Sequence, residues 1–495
     1  MTDVVIVLLD CARGSEFPGP PAARSALPNT QRLLQEGVEF SRSATVAPWT
    51  IPSHASLFTG RYPWVHGAHA RNALKLDPSL ERLPRALQRA GYRTVSLSAN
   101  PFISPEFDLV RGFDSAQWAG WWESFVRLPR DEAPQSRDGE DTGVRSRLDR
   151  AKEGQLGAVL RRGMHYAYRF VFLADAANRV ANRLRVPGKA TQLAVAPWIE
   201  SALGRELAAL APGQPLFAFI NLVDAHEPYY PADGSARGVA QWWKYAGVRQ
   251  DYLNVAGGKW RPTREELDRL RALYRQSLTV ADERIGRIRS VFERADRWDD
   301  TLFVLTSDHG QAFGEDGLLF HMFGTQDSLL RIPMIVKFPH GARSGSTSGR
   351  WASLVDLAPT IAEAAGVHGM TFDGIPLQDP AEPERAEPVL AMSDGVIWGR
   401  DRNRFTPAAL EKLDRVWGIA YGGRFKVLVQ SETGATRAYD LDKDPLESRD
   451  VWAEEGPELG SLRDAAARVA EQIGSRPVAP LSREVEERLE SWGYL

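Results

Sequence analysis

The stretch Val4-Val5-Ile6-Val7-Leu8-Leu9, followed at once by Asp10 and Cys11, decides how this chain reads. Six apolar residues in a row, four of them β-branched, suit a strand buried on both faces, as strands inside a parallel sheet are. The run is too short for a signal-peptide core, has no basic flank, and falls well short of the ~18 apolar residues a bilayer-spanning helix needs. A carboxylate placed directly after such a strand stands at the edge of the sheet where open α/β folds bind their ligands.

Outward from this strand the pattern repeats. Helical spacing over Asn29–Glu36 and Leu80–Ala90 alternates with short strand-like runs at Arg93–Ser98, Leu216–Leu222 and Thr301–Thr306, the last preceded by a helical stretch over Glu265–Arg294. Such alternation predicts an α/β fold, a mainly parallel sheet flanked by helices. From about Glu382 the runs shorten (Val416–Tyr421, Phe425–Gln430) and a helical tail follows Glu458, so a smaller C-terminal α+β subdomain with an antiparallel sheet is expected over 382–495, after a catalytic domain over 1–381. Residues 130–198 interrupt the first domain. Arg130–Arg147 is rich in charge, Pro and Gly and reads as an exposed loop, and Leu156–Leu184 is helical and rich in Arg and aromatics. That helix is read as an insertion packed on the main domain, with a membrane- or lipid-facing amphipathic helix as the alternative.

Composition narrows the class. With 495 residues the chain can bury a large core, and 43% hydrophobic with 25% charged residues is ordinary for a globular enzyme. A net charge of -3 gives no electrostatic reason for a nucleic-acid partner. Cys11 is the only cysteine, so no disulfide forms within the chain. No stretch is long enough to span a membrane, and a cytoplasmic protein is expected.

Two strand ends carry chemistry: Asp10 after Val4–Leu9, and Asp308-His309-Gly310 after Thr301–Thr306. Between them lies Ala47-Pro-Trp-Thr50-Ile-Pro52-Ser53-His54-Ala-Ser56-Leu-Phe-Thr59-Gly60-Arg61, which offers a hydroxyl nucleophile at Thr50. This segment resembles the signature of the sulfatase family: Cys or Ser, any residue, Pro, Ser, Arg, then Leu-Thr-Gly-Arg. Thr50 falls on the nucleophile position and His54 on that of the usual Arg. Pro28-Asn29, Glu36-Gly37-Val38, Asp224-Ala-His226-Glu-Pro228-Tyr229, Asp308-His309-Gly310, His321 before Arg331-Ile332-Pro333, Asp356-Leu-Ala-Pro359-Thr360 and Tyr439–Pro445 are similar to further family elements, in the same order. The resemblance implies an alkaline-phosphatase-like fold and a metal-dependent hydrolase or transferase of phosphate or sulfate esters.

The departures refine that implication. The family's formylglycine comes from Cys or Ser, so none is expected at Thr50, and the resemblance shifts toward relatives that carry a phosphoryl group on threonine. Phosphoesters (mono- or diesters, phosphonates) are thus the expected substrates, small or linked to lipid or sugar. Sulfate esters are the alternative, and a catalytically silent binding protein is a third reading that the intact residue set opposes. One divalent ion is expected, held by Asp10, Thr50, Asp308 and His309. Cys11 replaces an Asp found in many relatives and is read as a small buried residue, and the loss of an oxygen donor beside an imidazole favours Mn²⁺ or Zn²⁺ over Ca²⁺. Two-zinc relatives space an Asp and a His by three residues, whereas Asp224 and His226 enclose one, so a second metal is not expected. His226 and His321 are assigned instead as donors to the ester oxygens and the leaving group.

Four further residues carry two readings each. His54 faces the site or packs behind it. Arg61 contacts an anion near the helix start or anchors the nucleophile turn. Asn100, just after Arg93–Ser98, contacts substrate or forms a turn, and Asp224 is a weaker substrate candidate. His66, His69, His340 and His368 read as loop or surface histidines. The leaving group depends on Arg130–Trp198 and Ala232–Arg261, where Trp198 and the nearby pairs Trp121-Trp122 and Trp242-Trp243 line a pocket or, the favoured reading, pack the insertion.

Overall fold

In the computed structural model, β1 (Val4–Leu9) pairs in parallel with β5 (Leu216–Leu222) on one side and β6 (Leu302–Thr306) on the other, with Val4 opposite Phe217 and Leu302. The structure describes residues 2–100, 102–118, 190–227, 229, 251–378, 385–395, 401–476, 478–483 and 485–486. The features expected at Arg130–Arg147, Leu156–Leu184, Trp121-Trp122 and Trp242-Trp243 lie outside these residues.

Beyond β5 come β3 (Arg93–Ser98) and β4 (Ser115–Trp118), both parallel. Beyond β6 come β9 (Met334–Lys337), then β2 (Val38–Ala44) and β10 (Ser346–Ser353). The eight-stranded order is β10-β2-β9-β6-β1-β5-β3-β4, in which β9 runs against both its neighbours. β1 is therefore central, and the strand alternation shows in its packing. Val4, Ile6 and Leu8 join the core on one face with Ile51, Leu57 and Phe58 of α2 (Thr50–Thr59). Val5, Val7 and Leu9 join the other core. There they meet Leu270, Leu278 and Ile285 of a long helix that begins at Arg264, one residue before the sequence pattern suggested. Thr263 caps that helix through Glu266, which fixes the start.

Local chemistry sets the other boundaries. α1 (Pro28–Glu36) has its first turn held from outside, since Asn29 N, Thr30 N and Thr30 Oγ1 all donate to Asp282 of the long helix. α3 (Leu83–Arg89) is shorter than the expected Leu80–Ala90 and starts one residue before Pro84, where a missing N–H costs nothing. β6 starts at Leu302 and not Thr301, whose backbone and side chain close the preceding turn on Trp298 and Arg297.

A second sheet lies in the C-terminal part: β11 (Val389–Ser393), β12 (Trp417–Gly422), β13 (Phe425–Gln430) and β14 (Thr436–Asp440), antiparallel and in sequential order. A helix over Gly460–Gly474 packs on β12, so close that a Cβ on Gly418 would stand 1.9 Å from Ala466 O. No helix among the described residues is long and apolar enough to cross a membrane.

Candidate active site

Because β1, β5 and β6 are neighbours, the residues that follow them converge on one edge. Asp10 follows β1, Asp308 and His309 follow β6, and His226 and Glu227 follow β5. Thr50 arrives from the β2 side as the first residue of α2, where free backbone N–H groups favour an anion. Its Oγ1 lies 3.4 Å from His309 Nε2. That nitrogen is also 3.3 Å from Asp308 Oδ2 and 4.0 Å from Asp10 Oδ1. His309 Nδ1 donates to Gly310 O at 2.9 Å, which leaves the Nε2 lone pair facing the carboxylates and the hydroxyl.

The carboxylates are positioned by groups around them. Asp308 Oδ1 accepts from the backbone N–H groups of His309 (3.0 Å) and Cys11 (3.3 Å), while Oδ2 is buried without a hydrogen-bond partner. Asp10 Oδ2 accepts from Asn100 Nδ2 at 2.5 Å, and Oδ1 from the Cys11 thiol at 3.3 Å. Ser307 ties the two strand ends together: its Oγ donates to Leu9 O (2.5 Å) and accepts from Ala12 N (2.9 Å). Cys11 takes a left-handed backbone, φ 66°, which turns the chain back under Asp308.

All of these groups are buried, and burial dominates their electrostatics. Asp308 is pushed well above the ordinary carboxylate range by burial and by the Asp10 carboxylate. For Asp10, burial works in the same direction, but His226, His309 and His54 outweigh it and hold the group low. His309 is lowered by burial, so its imidazole is neutral and ready to ligate. An orphaned carboxylate oxygen beside a second buried carboxylate and a free imidazole lone pair is short of positive charge. Asp10, Asp308, His309 and Thr50 together fit a divalent cation with mixed oxygen and nitrogen ligands.

A second set of side chains stands against the first. The ligand atoms of Cys11, His226, Glu227 and His321 all lie within 4.8 Å of one another. His321 follows the short hairpin of β7 (Ala312–Phe313) and β8 (Leu319–Phe320). Its ring centroid is 4.6 Å from that of His309 and 4.9 Å from that of His226. Glu227 and Gln311 were not singled out in the sequence; Gln311 Nε2 donates to Glu227 Oε2 at 2.6 Å, and its Oε1 is 3.0 Å from His321 Nδ1. Cys11, read from sequence as a small buried residue, is buried, and its sulfur also lies within 4.8 Å of ligand atoms of Asp10 and His309.

The remaining candidates are placed as follows. His54, one turn into α2, is buried, with Nδ1 donating to Thr50 O at 3.0 Å and lying 3.7 Å from Asp308 Oδ2. Burial pushes it down to about 4, so it is neutral and braces the first turn of α2. Arg61 is not near the helix start: it follows Gly60, the left-handed C-cap of α2, and pairs with Asp373 at 3.0 Å. A ten-residue helix spans about 15 Å, so Arg61 stands at the far end from Thr50. Asn100 holds Asp10, and its own Oδ1 closes a turn on Phe102 N, so both sequence readings of it meet in one residue. Asp224 is engaged with Arg284 at 2.9 Å. His66 and His69 were read as loop or surface histidines; His69 does lie in a loop, but both are buried, and His66, at the end of the short helix over Pro63–His66, places Nε2 3.0 Å from Ser56 Oγ of α2.

Comparison with known proteins agrees with this geometry. The family model described as Sulfatase matches residues 2–367. A choline-sulfatase of Rhizobium meliloti (strain 1021) is 26% identical over 408 residues, 78% of this chain and 73% of that protein. The multifunctional alkaline phosphatase superfamily protein PehA of Trinickia caryophylli is 25% identical over 416 residues, 74% of each. Among solved structures, a phosphonate monoester hydrolase of Agrobacterium radiobacter superposes with a TM-score of 0.63 at 20% identity, covering 96% of both chains. The order of strands, the donors at their ends and the match over most of its length make this chain a hydrolase of the sulfatase family.

Proposed function

We propose that the protein cleaves phosphoesters, monoesters, diesters or phosphonates, with Thr50 as the nucleophile. The observation that carries this reading is the Thr50 hydroxyl at the first position of α2, 3.4 Å from His309 Nε2, which itself lies 3.3 Å from the unpartnered oxygen of Asp308. The α2 N-terminus receives the ester's anionic oxygens. Thr50 Oγ1 attacks phosphorus, the bond from phosphorus to the leaving alcohol breaks, and the phosphoryl group rests on Thr50 until water or a second alcohol takes it. A divalent ion on Asp10, Thr50, Asp308 and His309, Mn²⁺ or Zn²⁺ in preference to Ca²⁺, would supply the positive charge that favours the ionised hydroxyl. Asn100 and His54 keep Asp10 and Thr50 in place throughout.

Thr50 has one hydroxyl and cannot expel a group as an aldehyde hydrate does, which is why phosphoryl transfer is preferred to sulfate release. The similarity to PehA, whose name places it in the alkaline phosphatase superfamily, is compatible with this preference. The similarity to a choline-sulfatase favours the second reading, a sulfate-ester hydrolase in which Thr50 only ligates the ion. Paired aryl phosphate, phosphate diester, phosphonate and sulfate substrates separate the two. Thr50→Ala is expected to lower turnover of the preferred phosphoester at least ~10³-fold, as loss of a nucleophile does. Acid-quenched wild-type enzyme should carry one phosphoryl mass on the Thr50 peptide. Near-wild-type activity in Thr50→Ala, or preferred turnover of the sulfate, overturns the phosphoryl reading.

A further inference from the structure

We propose that Gln311 is a positioning residue: braced by Glu227 and Tyr229, it fixes His321 with its proton on Nδ1, so that Nε2 accepts a proton from the water or alcohol that takes the phosphoryl group from Thr50. The inference rests on the reading of Thr50 as the nucleophile. It turns His321 from a donor to the ester, its expected role, into an acceptor in the second step.

The hydrogen bonds leave one arrangement. A carboxylate only accepts, so the Gln311 atom 2.6 Å from Glu227 Oε2 is the amide nitrogen. The same nitrogen lies 2.6 Å from the Tyr229 hydroxyl, whose own proton goes to Ala225 O at 3.1 Å. Both amide hydrogens are thus engaged, and Gln311 Oε1 faces His321 Nδ1 at 3.0 Å. A carbonyl oxygen cannot donate, so Nδ1 carries the proton. The other neighbours of Nδ1 agree: Cys11 Sγ, at 3.6 Å, donates its hydrogen to Asp10 Oδ1, and Glu227 Oε2, also at 3.6 Å, is an acceptor. The ring is buried beside the rings of His309 and His226, where desolvation opposes a second proton, and Nε2 keeps its lone pair. His321 is also tied to the nucleophile. Met322 N donates to Pro48 O at 3.1 Å, two residues before Thr50, and the His309 ring, 4.6 Å from that of His321, places its Nε2 3.4 Å from Thr50 Oγ1. In the second step the water oxygen bonds to phosphorus and the bond from phosphorus to Thr50 Oγ1 breaks, its electron pair staying on Oγ1. The water proton moves to His321 Nε2 and then to Oγ1, which restores both side chains; an acceptor alcohol reacts in the same way and gives a new ester. Without the Gln311 amide, neither the angle of the ring nor its tautomer is fixed.

Separating the two steps tests the proposal. Full-length enzyme is mixed with whichever p-nitrophenyl phosphate, phosphate diester or phosphonate it turns over fastest, and first and later turnovers are read separately by stopped flow. Nitrophenolate leaves without a proton. Gln311→Leu should therefore keep the wild-type rate of the first turnover, about one nitrophenolate per chain, and slow the later ones at least ~10-fold. Acid-quenched Gln311→Leu should then carry more phosphoryl on the Thr50 peptide than wild type does. Gln311→Glu sets two carboxylates against each other and should slow later turnovers as well. Adding Glu227→Gln exchanges amide and carboxylate, restores the acceptor for Nδ1 and should recover most of that rate. A packing role would not respond to the exchange, and this pair of variants tests the proposal even where Gln311→Leu does not fold. Equal slowing of first and later turnovers, wild-type rates in Gln311→Leu, or no recovery on the exchange overturns the role of Gln311, while phosphoryl recovered on Thr50 leaves the nucleophile standing. No phosphoryl on Thr50 in wild type or in any variant removes that reading and this one with it.

Discussion

Asp308 keeps one oxygen fixed by two backbone amides and leaves the other bare, and mutagenesis can separate the two halves. Asn at this position still accepts those amides but carries no charge. Asp308→Asn is therefore expected to lose the ion proposed for this site, read as a drop of about one metal per chain by elemental analysis, while the metal-free variant melts no lower than metal-free wild type. The second half follows because a neutral amide removes the repulsion between two buried carboxylates; a large fall in the metal-free melting temperature would contradict it. Asp10, Thr50, Asp308 and His309 were readable from sequence because each sits at a strand end or helix start that its own neighbours announce. Glu227 and Gln311 were not, since nothing local distinguishes them and only the approach of the β7–β8 hairpin to the loop after β5 gives them partners. Arg61 misled for the opposite reason: the motif placed it near the nucleophile in sequence, and a helix carried it away in space.

Helix α2 presents Thr50 at one end and rests at the other on Gly60, whose φ of 65° and close approach to Phe372 exclude a side chain. Beneath it, His66 and His69 are neutral. Burial pushes each down to about 3 against an ordinary 6.5, with cationic neighbours adding to the effect on His69. Between those two values the unfolded chain binds more protons than the folded one. Stability is thus fully present above 6.5 and falls as the pH drops toward 3. His69→Phe should flatten that decline by up to about 1.4 kcal/mol per pH unit, measured by urea denaturation between pH 4 and 7. An unchanged slope would show that His69 titrates normally in the folded protein. The strands β1, β3, β5 and β6 were visible in the sequence because run length is a local property, whereas β2, β4, β9 and β10 were not read, being short or partly exposed strands that only their partners define. The burial of these two histidines was not, because it depends on where the turn after α2 docks.

Across the whole molecule, the C-terminal sheet is fastened to the site-bearing part by Lys426 of β13. Its buried ammonium donates to Thr325 O (2.5 Å), Asp327 Oδ1 (2.9 Å) and Glu447 Oε1 (2.5 Å). Lys426→Met leaves two carboxylates facing each other in a dry interface and is expected to cost about 3–5 kcal/mol, read as a lower urea midpoint. Adding Glu447→Gln should recover part of that loss. Equal destabilisation in the single and double variants would mean that the lysine acts by packing alone.

The central position of β1 has a consequence in time as well as in space. Val4 can pair only with Phe217 and Leu302, so this wholly apolar strand leaves the ribosome long before either partner exists. Its ladder closes late, as long-range parallel pairings do, and during synthesis it is an unshielded sticky segment for chaperones to cover. The candidate active site inherits that schedule. Asp10 waits at the end of β1 until the polypeptide reaches Asp308 and His309, so these groups meet only in a nearly finished domain, and any nascent chain stalled before β6 would lack the site and keep β1 unpaired.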